Sequence, residues 1–303
     1  MKKLWYFFLE TRAGILTTTA IPVMLGSAVA FYKTGLFSPY IFWLILCGYS
    51  LIHLGTNVLN DYFDAAGGTD NINTGFIAPF TGGGRMLQNK KLTPGEILAE
   101  SIILFVAASA MFITASLKSG AIILWPAAAG MAAGIFYSAP PLKISGSGFG
   151  EILIAAVFGP LLSGAAYAAQ AKEFSPVPAV VSVIPGLLTA AFVILAEFPD
   201  YEADRATGKK NLVVRLGKKS GVLLYGTVIF SAYGFAAWSV ITGYIPKNGH
   251  WVLGGIFFSA YAFIELLRAK KSPEKLGLAC LISLMAHLVT GMALVAAFTL
   301  YKR

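Results

Sequence analysis

The sequence predicts an all-α fold: a polytopic membrane protein of nine transmembrane helices, forming one domain over residues 1–303. Three observations predict it. The chain is 57% hydrophobic and 12% charged, with a mean hydropathy of +0.72. Its apolar residues fall into runs of about 20, the length that crosses a bilayer. Pro, Gly and Lys break those runs at turns. A soluble domain carries about 25% charged residues, and no soluble core hides this much apolar surface. The lipid bilayer is therefore the expected solvent.

The expected spans are 13–32, 39–59, 96–117, 119–137, 151–170, 177–198, 220–243, 249–268 and 276–300. Breakers between them include Pro39, Pro94, Gly120, Pro140, Pro141, Pro176, Gly217, Pro246 and Pro273. Only Lys118, Ser119 and Gly120 separate spans three and four, which predicts an antiparallel hairpin. Residues 4–8 are too short and aromatic for a cleaved leader, and Glu10 and Arg12 follow at once. The first long apolar run thus reads as a retained span. Cys47 and Cys280 have no zinc or disulfide spacing and read as small buried hydrophobes.

The net charge is +9. Its basic residues sit in short loops, which suits anionic headgroups rather than nucleic acid. Across the nine spans, 17 Lys and Arg fall on one side and 6 on the other. The positive-inside rule then places the N-terminus in the cytoplasm and the C-terminus outside.

The two largest loops on the cytoplasmic side follow spans two and six. All five aspartates lie at those two places: Asp61, Asp64 and Asp70, then Asp200 and Asp204. Each cluster carries an Asp-Tyr pair, Asp61 with Tyr62 and Asp200 with Tyr201, a hint of two related halves. If span two stays helical, Asn57, Asn60, Asp61 and Asp64 share one face. Hard oxygen donors of this kind suit Mg²⁺, which binds a few carboxylates together with substrate phosphates. Arg205, Lys209 and Lys210 surround the second cluster and suit phosphate oxygens. Ionisable groups at membrane depth read as functional.

Three further features face the same side. The loop after the first cluster holds Gly82, Gly83 and Gly84 before Arg85, and exposed amides there could form an anion nest. The loop after span four carries Tyr137 and Lys143, its one charge. A lone interfacial lysine can snorkel or reach a diphosphate. His53 lies one turn before Asn57 and is either structural or a lining residue of the same cavity, whereas His250 and His287 read as structural.

Taken in order, these residues resemble the UbiA-type intramembrane prenyltransferases. The resemblance rests on Asn60, Asp61, Asp64 and Asp70, then Tyr137 and Lys143, then Asp200, Asp204, Gly208 and Lys209, on nine spans. Within the superfamily the chain looks most like the 1,4-dihydroxy-2-naphthoate prenyltransferases of menaquinone synthesis. It shares their Pro-Phe-Thr-Gly-Gly stretch at 79–83 and the run from Asp204 and Arg205 to Gly217. It departs from them at Glu197, where asparagine is usual, at Asn211, where threonine is common, and at Ala78, where arginine is common.

The resemblance implies a Mg²⁺ site drawn from Asn60, Asp61, Asp64, Asp70, Asp200 and Asp204. It implies a diphosphate-binding set of Arg12, Arg85, Tyr137, Lys143, Arg205 and Lys209, with Asp64, Asp200, Asp204 and Lys143 in catalytic roles. Asn57, Glu197 and His53 are expected to face the aromatic acceptor. The partners are a polyprenyl diphosphate donor, that acceptor and the lipid of a bacterial cytoplasmic membrane. The metal stabilises the charge that develops on the leaving diphosphate, while the cavity keeps water from the allylic cation. The same fold also serves 4-hydroxybenzoate, homogentisate, glycerol-phosphate ether or porphyrin acceptors. A transporter, the reading from another class, would hold its acids at the midplane, and here they sit at one boundary.

Overall fold

A computed structural model describes residues 2–269 and 274–300, and among them every regular element is helical. Pro273 and the cations Lys270, Lys271, Lys302 and Arg303 lie outside the described residues. Nine helices among the described residues are long and apolar enough to cross a membrane: Ala13–Thr34, Pro39–Ala66, Pro94–Ser119, Ala121–Ser138, Gly150–Ala171, Pro176–Ala206, Leu212–Ile241, Lys247–Arg268 and Lys275–Thr299. These are spans one to nine. A helix over Lys2–Glu10 precedes them, with Leu4, Trp5 and Phe8 exposed.

The helix starts follow from their caps. Ser38 accepts the Ile41 N–H ahead of Pro39, and Thr93 forms a capping box with Glu96 ahead of Pro94. Asn211 accepts the Val214 N–H and starts span seven. Each such cap contributes about 1 kcal/mol by satisfying an orphan amide. Gly120 ends span three at φ 87°, a backbone that glycine adopts without strain.

Three boundaries differ from the sequence expectation. Span two continues from 59 to Ala66 and span six from 198 to Ala206. Hydropathy falls at those points, but the helix ladder does not depend on hydropathy. Asn60 donates to Asp64 one turn on, at 3.1 Å, and binds the polar turn together. Pro199 removes a single N–H from span six, which does not end it. Helix already begins at Leu212 rather than 220, but the expected break at Gly217 is present: its backbone (φ 81°, ψ 154°) is non-helical and separates a short helical stretch from the rest of span seven. The carboxylates therefore ride on helices that extend past the apolar runs.

Two large cores divide the bundle, with a small cluster at Val58, Leu92 and Ile97 beside them. One gathers residues of spans one to five, around Ile45, Tyr49, Ile52 and Phe112. The other gathers spans six to nine with spans one and five, around Leu188, Tyr233 and Leu294 in one half and Leu195, Tyr225 and Cys280 in the other. Spans one and five thus belong to both. Absent side chains allow their close approach: a Cβ on Gly26 would collide with the Ser163 carbonyl oxygen. Large apolar residues such as Ile103, Leu117, Leu223 and Phe257 point outward, as lipid-facing side chains do. Cys47 also faces outward rather than into the core, while Cys280 is buried as expected.

Candidate active site

A cavity of about 220 Å³ opens where spans one, two, four, five and six converge, and residues of both acidic clusters line it. Span two contributes one face to its wall: Asp64, Asn60, Asn57, Thr56, His53, Ile52 and Tyr49. Span six contributes Asp204, Asp200, Glu197, Ala196, Val193 and Thr189. These are helical spacings, so extending both helices is what brings the two clusters face to face.

Lys209 joins the clusters. Its ammonium lies 2.6 Å from Asp64 Oδ2 and 3.7 Å from Asp204 Oδ1. Burial alone would lower its pKa, but Asp64 and Asp204 outweigh that and push it up to about 12. Asn211 donates to Asp204 Oδ2 at 2.8 Å, and Asn73 donates to Asp200 Oδ1 at 2.7 Å. Thr81 and the Gly82 amide face the same Asp200 carboxylate. Asp70, on the short helix Thr69–Ile72, lines the cavity; burial first, then Asp61 and Asp64, push its carboxyl up to about 8.

Asp61 has a different task from its neighbours. It is 3% exposed and does not line the cavity. Its Oδ1 accepts from Arg12 at 2.9 Å and its Oδ2 from the Gly84 amide at 2.7 Å. Asp61 therefore fixes Arg12 and the glycine loop rather than presenting oxygens to a ligand. Arg12 also donates to the Asn57 carbonyl at 3.2 Å, and Asn57 donates back to the Thr11 carbonyl at 3.0 Å. These contacts hold Arg12 in the left-handed region (φ 53°), a conformation that costs about 1–2 kcal/mol without them. The expected amide nest is thus turned partly inward. Gly83 (φ 72°) lets the chain pass Asp61, because a Cβ there would meet its carboxylate at 2.8 Å.

The remaining expected cations stand apart from the cavity. Lys143 and Arg205 are exposed and line no part of it. Lys143 sits at φ 45° in the loop after span four, with its side chain exposed. Arg85 donates to the Asp70 carbonyl at 2.7 Å and stacks on Phe76, so it braces the Asp70 turn. Tyr137 does line the cavity, as does His53, which shares a 2.8 Å hydrogen bond with Thr19.

Glu197 lines the cavity and accepts the Val213 N–H at 3.4 Å. Glu151, 3% exposed, accepts the Leu212 N–H at 2.6 Å. With Asn211 they satisfy the first three amides of span seven.

Among the described residues no three acid, His or Cys side chains stand at metal-holding spacing. The donors nevertheless fit Mg²⁺. They are hard carboxylate and amide oxygens on both sides of one cavity, and Mg²⁺ takes its other ligands from substrate phosphates and water. Sequence reasoning missed Asn73, Thr81, Glu151 and Tyr49. Asn73 had a signal, since it follows Asp70 in a polar run; Tyr49 and Glu151 looked like parts of their spans.

The family model for the UbiA prenyltransferase family matches residues 19–289. The chain belongs to that family. This UbiA-family chain is a prenyltransferase and an integral membrane protein. It is 26% identical over 98% of its length to a 2-carboxy-1,4-naphthoquinone phytyltransferase of Synechocystis, covering 93% of that protein. It is 26% identical over 77% of its length to the 1,4-dihydroxy-2-naphthoate octaprenyltransferase of Bacillus subtilis, covering 73% of it. A UbiA homolog from Archaeoglobus fulgidus bound to DMAPP and Mg2+ has the same fold, with a TM-score of 0.62 and 17% identity over 96% of this chain and 99% of that one.

Proposed function

We propose that this prenyltransferase moves a polyprenyl group from an allylic diphosphate to 1,4-dihydroxy-2-naphthoate, as a step of menaquinone synthesis. The setting is the cytoplasmic face of a bacterial cytoplasmic membrane. One observation carries the reading: carboxylates of both clusters meet Lys209 at the mouth of a cavity with apolar walls. The names of the Synechocystis and Bacillus relatives support the acceptor class.

Asp64, Asp70, Asp200 and Asp204, with Asn60, would hold Mg²⁺. The ion supplies positive charge to the diphosphate as the allylic C–O bond breaks. Lys209 and Arg12 place further positive charge at the same mouth, fixed in advance by Asp64, Asp204 and Asp61. The wall formed by Ile52, Val157, Phe158 and Phe192 keeps water from the allylic cation. Glu197, Asn57 and His53 present polar groups to the acceptor beside that wall.

The test uses full-length protein in lipid nanodiscs with labelled polyprenyl diphosphate, Mg²⁺ and a panel of acceptors. Prenylated naphthoate product is expected, lost on chelation and in Asp64→Ala and Asp200→Ala. Transfer retained in both variants would sink the metal site. Product from another acceptor alone would sink the naphthoate assignment.

A further inference from the structure

The helix Lys2–Glu10 is apolar on both faces. Its inner face carries Tyr6 and Phe7, which pack with Val58, Leu92 and Ile97 beside spans two and three. Its outer face carries Leu4, Trp5 and Phe8, which are 73%, 57% and 54% exposed. These positions share one side of a helix, and the Trp5 and Phe8 rings stack at 5.4 Å. Residues 4–9 hold no charge. A helix turned toward water would carry its charged residues there.

The surroundings of the helix say what covers that face. Lys3 pairs with Glu96 in the first turn of span three. Ile97 and Leu104 of that span touch the same cluster as Tyr6, while Ile103 and Val106 face outward. The outer face of the helix thus continues the lipid-facing surface of span three, at the membrane boundary where tryptophan is favoured. Lys2, Lys90 and Lys91 are exposed, and the Lys91 ammonium stands 5.8 Å from the Tyr6 ring. Glu96, the acid at this end, is taken by Lys3. The charge left over is positive and complements anionic headgroups.

The helix also leads directly into the site. The Thr11 N–H donates to the Phe7 carbonyl at 3.4 Å and the Arg12 N–H to the Leu9 carbonyl at 3.3 Å. Glu10 holds the Met86 N–H after the glycine loop. Arg12, which lines the cavity, is therefore hydrogen-bonded to the last turn of this helix.

We propose that the outer face of the helix Lys2–Glu10 docks on anionic lipid at the membrane boundary and by that contact steadies Arg12 at the mouth of the cavity. The docking stands on its own observations; the effect on Arg12 rests on the prenyl-transfer reading.

The experiment places the full-length protein in nanodiscs of phosphatidylcholine with or without phosphatidylglycerol. Lipids with brominated acyl chains quench a tryptophan that touches them, and the difference in emission between the parent and Trp5→Phe isolates Trp5. That difference is expected to be quenched, and the double variant Leu4→Gln with Phe8→Gln to lose the quenching. The double variant should raise the donor KM about fivefold, the worth of one lysine at an anionic surface, with kcat unmoved. Removing phosphatidylglycerol from the parent should do the same, and this arm needs no variant, so it decides the coupling if the double variant fails to fold. An unquenched Trp5, whether open to water or covered by a second copy of the chain, would overturn the docking. A donor KM indifferent to phosphatidylglycerol would overturn the link from anionic lipid to Arg12. Quenching reads no activity, so a parent that transfers no prenyl group would remove the prenyl-transfer reading and leave the docking decided by Trp5.

Discussion

The Lys209 ammonium lies 2.6 Å from the Asp64 carboxylate and ties the end of span two to the loop after span six. It also reaches Asp204, so one cation serves both acidic helices. A metal at this mouth must share the same oxygens. Lys209→Met should therefore lower turnover by about 100-fold, the scale of removing one charge-stabilising donor. It should also make the folded state more dependent on Mg²⁺, since Asp64 and Asp204 lose their counter-charge. Thermal unfolding in detergent, with and without Mg²⁺, measures this. A Mg²⁺ shift no larger than the parent's would show that lysine and metal do not share those carboxylates.

Asp61 invites a different expectation. Its carboxylate is spent on Arg12 and the Gly84 amide, away from the cavity. Asp61→Ala leaves a guanidinium at 12% exposure without its partner. Removing one half of a buried pair costs about 3–5 kcal/mol. The predicted phenotype is a large fall in the unfolding midpoint, beyond that of Asp64→Ala. Equal stability in the two variants would refute the division of labour.

This contrast marks how far the sequence was legible. Composition and the 3.6-residue spacing of Asn57, Asn60 and Asp64 foretold nine spans and a lined helix face. Spacing cannot separate Asp61 from Asp64, because both fall within the same polar turn. The difference comes from a third element: Arg12, 49 residues away, takes Asp61 out of the cavity. Lys143 and Lys209 posed the same problem. Each is a lysine in a loop between spans, and only the folded geometry leaves Lys143 exposed and turns Lys209 in to Asp64. Span ends were misplaced where hydropathy fell and backbone hydrogen bonding continued, as at Asp200 and Asp204 on span six.

Glu197 tests the acceptor half of the site. It sits one turn deeper than Asp200 and braces the start of span seven through Val213. Glu197→Gln keeps an oxygen for the Val213 amide and removes the ionisable carboxyl. The expected effect is a change of about tenfold in acceptor KM, with donor KM unmoved. A shift in donor KM of the same size would place Glu197 with the diphosphate instead.

Glu10 gives the fold a pH dependence of stated sign. Its Oε2 accepts the Met86 N–H at 3.3 Å, and the residue is 1% exposed. Burial, then the Asp61 carboxylate, push its carboxyl from the ordinary 4.5 up to about 8. Between those values the folded protein holds a proton that the unfolded chain has released. The folded state then binds more protons, so stability is full below about pH 4.5 and falls as pH rises toward 8. Asp70, also pushed up to about 8, acts in the same direction. The unfolding midpoint in detergent should drop between pH 5 and pH 8, by about 2–4 °C for each kcal/mol lost. Glu10→Gln keeps an acceptor for Met86 but has no proton to lose, so its midpoint should fall less over the same interval, with the other buried carboxyls, Asp70 among them, supplying the remaining slope. Parallel profiles for parent and variant would mean that Glu10 is already ionised in the folded protein.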